Sequence, residues 1–115
     1  MDNPKYYEDA IATLNLDDES LYIDLGKELH NNNIIPPTTK RLITTAKKWL
    51  QLNLEHLQDK ICFDKRVKSN VESETPIMIA VIADIIAARW GFTNPVSAAA
   101  LIARVGVTKF CQTKW

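Results

Sequence analysis

Three observations predict an all-α fold, a compact bundle of about five helices around a buried apolar C-terminal hairpin. From residue 76 onward the chain carries two long apolar runs, separated by Gly91 and Asn94-Pro95. Upstream of them, apolar residues recur at helical spacing. Finally, 115 residues with three glycines and five prolines suit one folded domain without low-complexity linkers.

The hairpin sets the problem that the rest of the sequence must solve. Pro76 stands at a first helical position, where its missing N–H does no harm. Ile77 to Ala83 is unbroken apolar sequence, followed by Asp84 and then Ile85 to Ala88. This predicts a helix over about 76–90, and Val96 to Phe110 predicts a second over about 96–110. Nearly every face of the pair is apolar, so it needs a cover: the remaining chain, a second copy, a partner or a bilayer.

The other elements follow in order. Asn3-Pro4 is a helix start, and Tyr6, Tyr7, Ala10, Ile11 and Leu14 predict an amphipathic helix over about 4–14. Asp17 is a cap for a second helix over about 18–30, with Asp18 and Glu19 placed where the helix dipole favours negative charge. Gly26 inside that helix predicts a close approach by a neighbour. The Asn31–Asn33 run ends it, and Ile34-Ile35-Pro36-Pro37 reads as an extended connector. Thr38 or Thr39 caps a third, longest helix over about 39–60, whose apolar stripe includes Leu42, Ala46, Trp49, Leu50, Leu54, Leu57 and Ile61. The aperiodic stretch over about 64–75 reads as a mobile loop.

The formal charge is zero, but it is unevenly placed. Residues 1–35 hold eight acids and two bases, a net of −6, while residues 36–70 hold eight bases and three acids, a net of +5. Mutual docking of the two segments is the simplest consequence. Lys40, Arg41, Lys47 and Lys48 form a basic outer face on the third helix. Against a nucleic-acid reading stand the neutral total and the lack of a recognition-helix motif.

Catalytic signatures are missing. Glycines at 26, 91 and 106 do not form a phosphate-cradling loop, and HExxH and GxSxG do not occur. His30, His56, Cys62 and Cys111 have the composition of a zinc site but lack its paired spacing, so neither metal nor cofactor is expected. With no CxxC and no signal-like N-terminus, the two cysteines read as reduced thiols of a cytoplasmic protein, in preference to a Cys62–Cys111 disulfide. Folding the hairpin about Thr93 predicts a salt bridge between Asp84 and Arg104 that fixes register more than stability.

The expected function is a non-enzymatic protein–protein interaction module, a small accessory or adaptor subunit of a cytosolic assembly, acting on a protein partner or by self-association. Trp49, Phe92 and Trp115, with Trp90, are the aromatic anchors to test, and the basic face the charged one. Two other readings remain open. One is a membrane-acting effector that releases its hairpin, disfavoured because each apolar helix is well short of the ~20 residues of a span. The other is an inhibitor or immunity-type protein that uses the acidic helices against a basic target.

Overall fold

The computed structural model describes residues 4–30 and 37–115. Asn3, the Asn31–Asn33 run and Ile34 to Pro36 of the connector lie outside the described residues. Among the described residues there are eight helices and no strand. They are α1 (Tyr7–Thr13), α2 (Asp18–Leu29), α3 (Thr39–Leu52), α4 (Leu54–Ile61), α5 (Lys65–Ser69), α6 (Thr75–Trp90), α7 (Val96–Val105) and α8 (Val107–Phe110).

The all-α bundle is as the sequence predicts, and α6 is its axis. Pro76 lies in its first turn and Gly91 ends it in the left-handed conformation, φ 69°. Between them Met78 to Ala83, Ile85 and Ile86 are all buried, which takes in every face of the helix. Each large aliphatic side chain so buried contributes roughly 1.5–3 kcal/mol. The cover is supplied by the chain itself: α1, α4, α5 and α7 all pack on α6. Among the described residues, no helix is long and apolar enough to cross a membrane.

α7 lies beside α6, and its first seven residues, Val96 to Ile102, are buried. Alanines at 80, 83, 98, 99 and 100, all fully buried, keep the two backbones close. The second hairpin helix is shorter than the predicted 96–110. Gly106, at φ 98°, breaks it, and α8 forms a separate turn.

α2 lies against α3, the acidic segment on the basic one, but among the described residues no ion pair joins them. Their closest approach is at the backbone of Gly26 and Leu42. A Cβ on Gly26 would stand 2.5 Å from the Leu42 carbonyl oxygen. The predicted caps are present: Asp17 accepts from the Ser20 N–H at 2.8 Å, and Thr38 Oγ1 from the Arg41 N–H at 3.2 Å.

Two boundaries differ from expectation. The helix predicted over 39–60 is two helices, because Asn53 closes α3 and opens α4, with its side-chain amide donating to the Trp49 carbonyl at 2.9 Å. The expected mobile loop over 64–75 contains α5. Asp64 caps it, accepting from the Arg66 N–H at 2.8 Å, and Val67 is wholly buried in the core. One apolar residue and one cap suffice to order the turn.

The cysteines, expected as free thiols, are joined. Cys62 at the end of α4 and Cys111 at the end of α8 form a disulfide with a Cα–Cα distance of 5.6 Å. Linking residues 49 apart in sequence removes chain entropy worth about 4 kcal/mol in the loop-closure picture.

The Gly26 contact yields a direct test. Gly26→Ala forces α2 away from the Leu42 carbonyl, and overpacking of this kind costs about 1–3 kcal/mol. That outweighs the ~1 kcal/mol that alanine gains over glycine in a helix. The urea midpoint should fall; a midpoint equal to or above that of the parent chain contradicts the close approach.

Candidate functional site

Among the described residues, an apolar groove lies between the α3–α4 corner and the end of α7. Its lining is Tyr22 of α2, Leu50 and Gln51 of α3, Leu54 and Leu57 of α4, Leu101, Ile102 and Val105 of α7, and Phe110 of α8. The enclosed volume is about 290 Å³. Within it Leu54 is 44% exposed and Val105 is 53% exposed, and Leu52, one residue beyond Gln51, is 72% exposed.

The sequence explains why these residues are left uncovered. On one continuous helix Leu50, Leu54 and Leu57 would all face the core. The break at Asn53 re-aims the stripe, so that Leu57 stays buried while Leu54 turns outward. At the other wall, Gly106 ends α7 and leaves Val105 at its exposed last turn. Lys47 places its ammonium 5.2 Å from the centre of the Tyr22 ring, which puts positive charge at the Tyr22 end of the groove.

The aromatics singled out in the sequence separate into two places. Trp49 packs on Trp90 at 5.6 Å in an edge-to-face arrangement, and on Phe92 at 5.3 Å. These half-buried rings fasten α3 to the C-terminal end of α6, and Arg89 lies over Trp90 at 5.5 Å. Trp115 stands apart from them. It is 46% exposed, and its indole N–H donates to the Cys62 carbonyl at 2.7 Å. Lys40, Arg41, Lys47 and Lys48 are all exposed on α3.

Asp84 and Arg104 do not pair with each other. Asp84 takes Arg66 of α5 at 2.6 Å, and Arg66 also holds Asp64 at 3.2 Å. Arg104 reaches the corner between α1 and α2, where its guanidinium meets Asp18 at 2.7 Å and donates to the carbonyls of Thr13, at 2.9 Å, and Leu16. The reason is donor supply. The end of α1 leaves carbonyls that need N–H groups, and a guanidinium offers five. One carboxylate across the hairpin competes poorly with that. A second tie was also missed: the Glu28 carboxylate accepts from Thr93 Oγ1 at 3.0 Å and from the Asn94 N–H at 3.0 Å, clamping the α6–α7 turn to α2.

Among the described residues, no group of three His, Cys, Asp or Glu side chains is placed to hold a metal ion. Burial pushes the Asp64 carboxyl up, but its hydrogen bonds from the Arg66 side chain and N–H outweigh that and hold it below the ordinary 3.8. Arg66 is raised in turn, by Asp64 first and Asp84 second.

The sign of the pH dependence follows. A carboxyl lowered in the folded state contributes stability above its ordinary value, and that contribution is lost as pH falls through the folded value. The raised arginine stays charged throughout, so it adds no slope there. Stability should therefore fall as pH drops below about 4, and Arg66→Gln should flatten that fall by no more than about 1 kcal/mol, because the cluster is partly exposed. Acid-titration unfolding curves check this; identical slopes for both chains refute it.

The chain matches no family model, no curated protein and no solved structure, so the functional reading rests on the groove and its neighbours.

Proposed function

We propose that this chain is a non-enzymatic helical interaction module, a small accessory or adaptor subunit, whose groove takes up an apolar segment of a protein partner. The observation that carries the reading is the exposure of Leu54 and Val105 on opposite walls of one apolar groove. At about 290 Å³ it falls just below the ~300–1,000 Å³ of typical small-molecule pockets. Its walls offer little beyond the Tyr22 hydroxyl and the Gln51 amide to orient a polar ligand. Two helical walls and an apolar floor suit an amphipathic helix presenting apolar residues one turn apart.

Two observations favour this over the other readings. α6 is enclosed by α1, α4, α5 and α7, and a disulfide ties α4 to α8, which opposes release of the hairpin. Asp18 and Glu28 of the acidic α2 are engaged with Arg104 and with the α6–α7 turn, which reduces the charge left for a basic target. The compartment is part of the proposal: cytoplasmic if the disulfide is made and broken in use, oxidising if it is permanent.

A photo-crosslinker at Val105 identifies the occupant, and purified components then measure it. Leu54→Asp and Val105→Asp should each weaken binding at least about tenfold, some 1.4 kcal/mol, as expected of central apolar contacts. A concentration-dependent dimer that Val105→Asp dissolves would name a second copy as the occupant. Binding unchanged by either substitution would sink the groove as the site.

A further inference from the structure

The wall of the groove that carries Phe110 belongs to a short C-terminal segment that Val107 anchors in the core. α8 has four residues, and it leaves α7 through Gly106, whose φ of 98° strains any other residue. Residues 107–115 are fastened to α4 and its C-cap by four contacts. Cys111 is bonded to Cys62, and the Gln58 side-chain amide donates to the Phe110 carbonyl at 2.9 Å. The Trp115 indole donates to the Cys62 carbonyl at 2.7 Å, and the Lys114 ammonium stands 3.2 Å from Asp59 and 3.7 Å from Glu55. Of the other three, two are part-buried hydrogen bonds and one is an ion pair to exposed carboxylates, each contributing about 1 kcal/mol or less net. The covalent one dominates.

We propose that the Cys62–Cys111 disulfide is a redox latch on the groove: reduction by a cellular dithiol frees residues 107–115 from α4, and the groove lengthens along the surface they cover. The inference rests on the groove being the binding surface. Gly106, between α7 and α8 with a backbone conformation that favours glycine, is the pivot. Beside it lies a hollow of about 260 Å³, lined by Val71, Ser73, Thr75, Met78, Val107 and Thr108 among others, so α8 has space to turn. Once α8 leaves, the buried Leu57, which lines the groove together with Phe110, loses part of its cover and extends the apolar floor that Leu54 begins.

The chemistry balances with the dithiol alone. Both cysteines are fully buried, so the segment must open locally before the reductant reaches Cys111. A thiolate of the reductant attacks Cys111 Sγ, the Sγ–Sγ bond breaks, and Cys62 leaves as a thiolate that takes up a proton. The second thiol of the reductant then attacks the reductant's own sulfur in the mixed disulfide, releasing Cys111 and closing the reductant's disulfide. Two electrons pass to the cysteine pair. By linkage, an apolar helix that prefers the lengthened groove favours the thiol form to the same degree.

The experiment compares the full chain, oxidised and after dithiothreitol, with bis-ANS as the apolar probe and trypsin as the probe of the tail. The oxidised chain should titrate no thiol, and the reduced chain two. On reduction bis-ANS fluorescence should rise severalfold with the far-UV spectrum unchanged, and cleavage after Lys109 should become fast. Cys62→Ser with Cys111→Ser should reproduce this without reductant. Unchanged bis-ANS signal with Lys109 still protected overturns the latch, and so does general loss of helix on reduction, which would make the disulfide a staple of the whole fold. Val105→Asp keeps the two readings apart. If it leaves the bis-ANS signal of the oxidised chain unchanged, the groove reading fails and the proposal with it. If it suppresses that signal while reduction changes nothing, the latch alone fails.

Discussion

A helix that is apolar on every side has no face to turn to water, and α6 imposes that constraint on the whole molecule. Sixteen residues with Met78 to Ala83, Ile85 and Ile86 buried require neighbours all the way round. A helix with one apolar stripe can be satisfied by one partner helix, whereas this one needs several. The chain meets the demand with short elements, α1, α4, α5 and α7, all packed on the axis. Their shortness is a consequence: covering a rod from many directions requires frequent changes of direction. The capping residues Asp17, Thr38, Asn53 and Asp64 are where those changes occur.

Polar chemistry in this protein is therefore mostly architectural. Arg104, Glu28 and Arg66 each bind two elements together, Arg104 through the Thr13 carbonyl and the Asp18 carboxylate, Glu28 through the Asn94 N–H, and Arg66 through the carboxylates of Asp64 and Asp84. The outward side of the α3–α4 corner is one of the places left uncovered. There the break at Asn53 turns Leu54 away from the core, and Val105 faces it from the end of α7. The candidate binding surface is thus a by-product of how the axis is enclosed, and the disulfide-held α8 is its adjustable edge.

Local features were legible in the sequence because their causes are local. The α6 run, the Asp17 and Thr38 caps and the tight approach at Gly26 each depend on residue type within a turn or two. The groove, the disulfide and the ion-pair partners were not, because each joins residues far apart along the chain. Folding the hairpin about Thr93 pairs Asp84 with Arg104, but the true partner Arg66 lies in an aperiodic stretch, and the carbonyl at the end of α1 that Arg104 takes carries no charge to signal it. Asn53 was the one available signal for the groove. A residue favoured at caps stands between Leu52 and Leu54, inside an apolar stripe continuous on both sides.

Native-state hydrogen exchange tests the central claim, that α6 is an axis held closed by the rest of the chain. The amides of Ile79 to Ile86 should exchange only through global unfolding, with the free energy measured by denaturant. Amides of α5 and α8 should open at lower free energy, because each is a single turn with one anchor in the core. Exchange of the α6 amides well below the global free energy, alongside or ahead of α8, would mean the axis is released from its cover as a unit and would contradict the account.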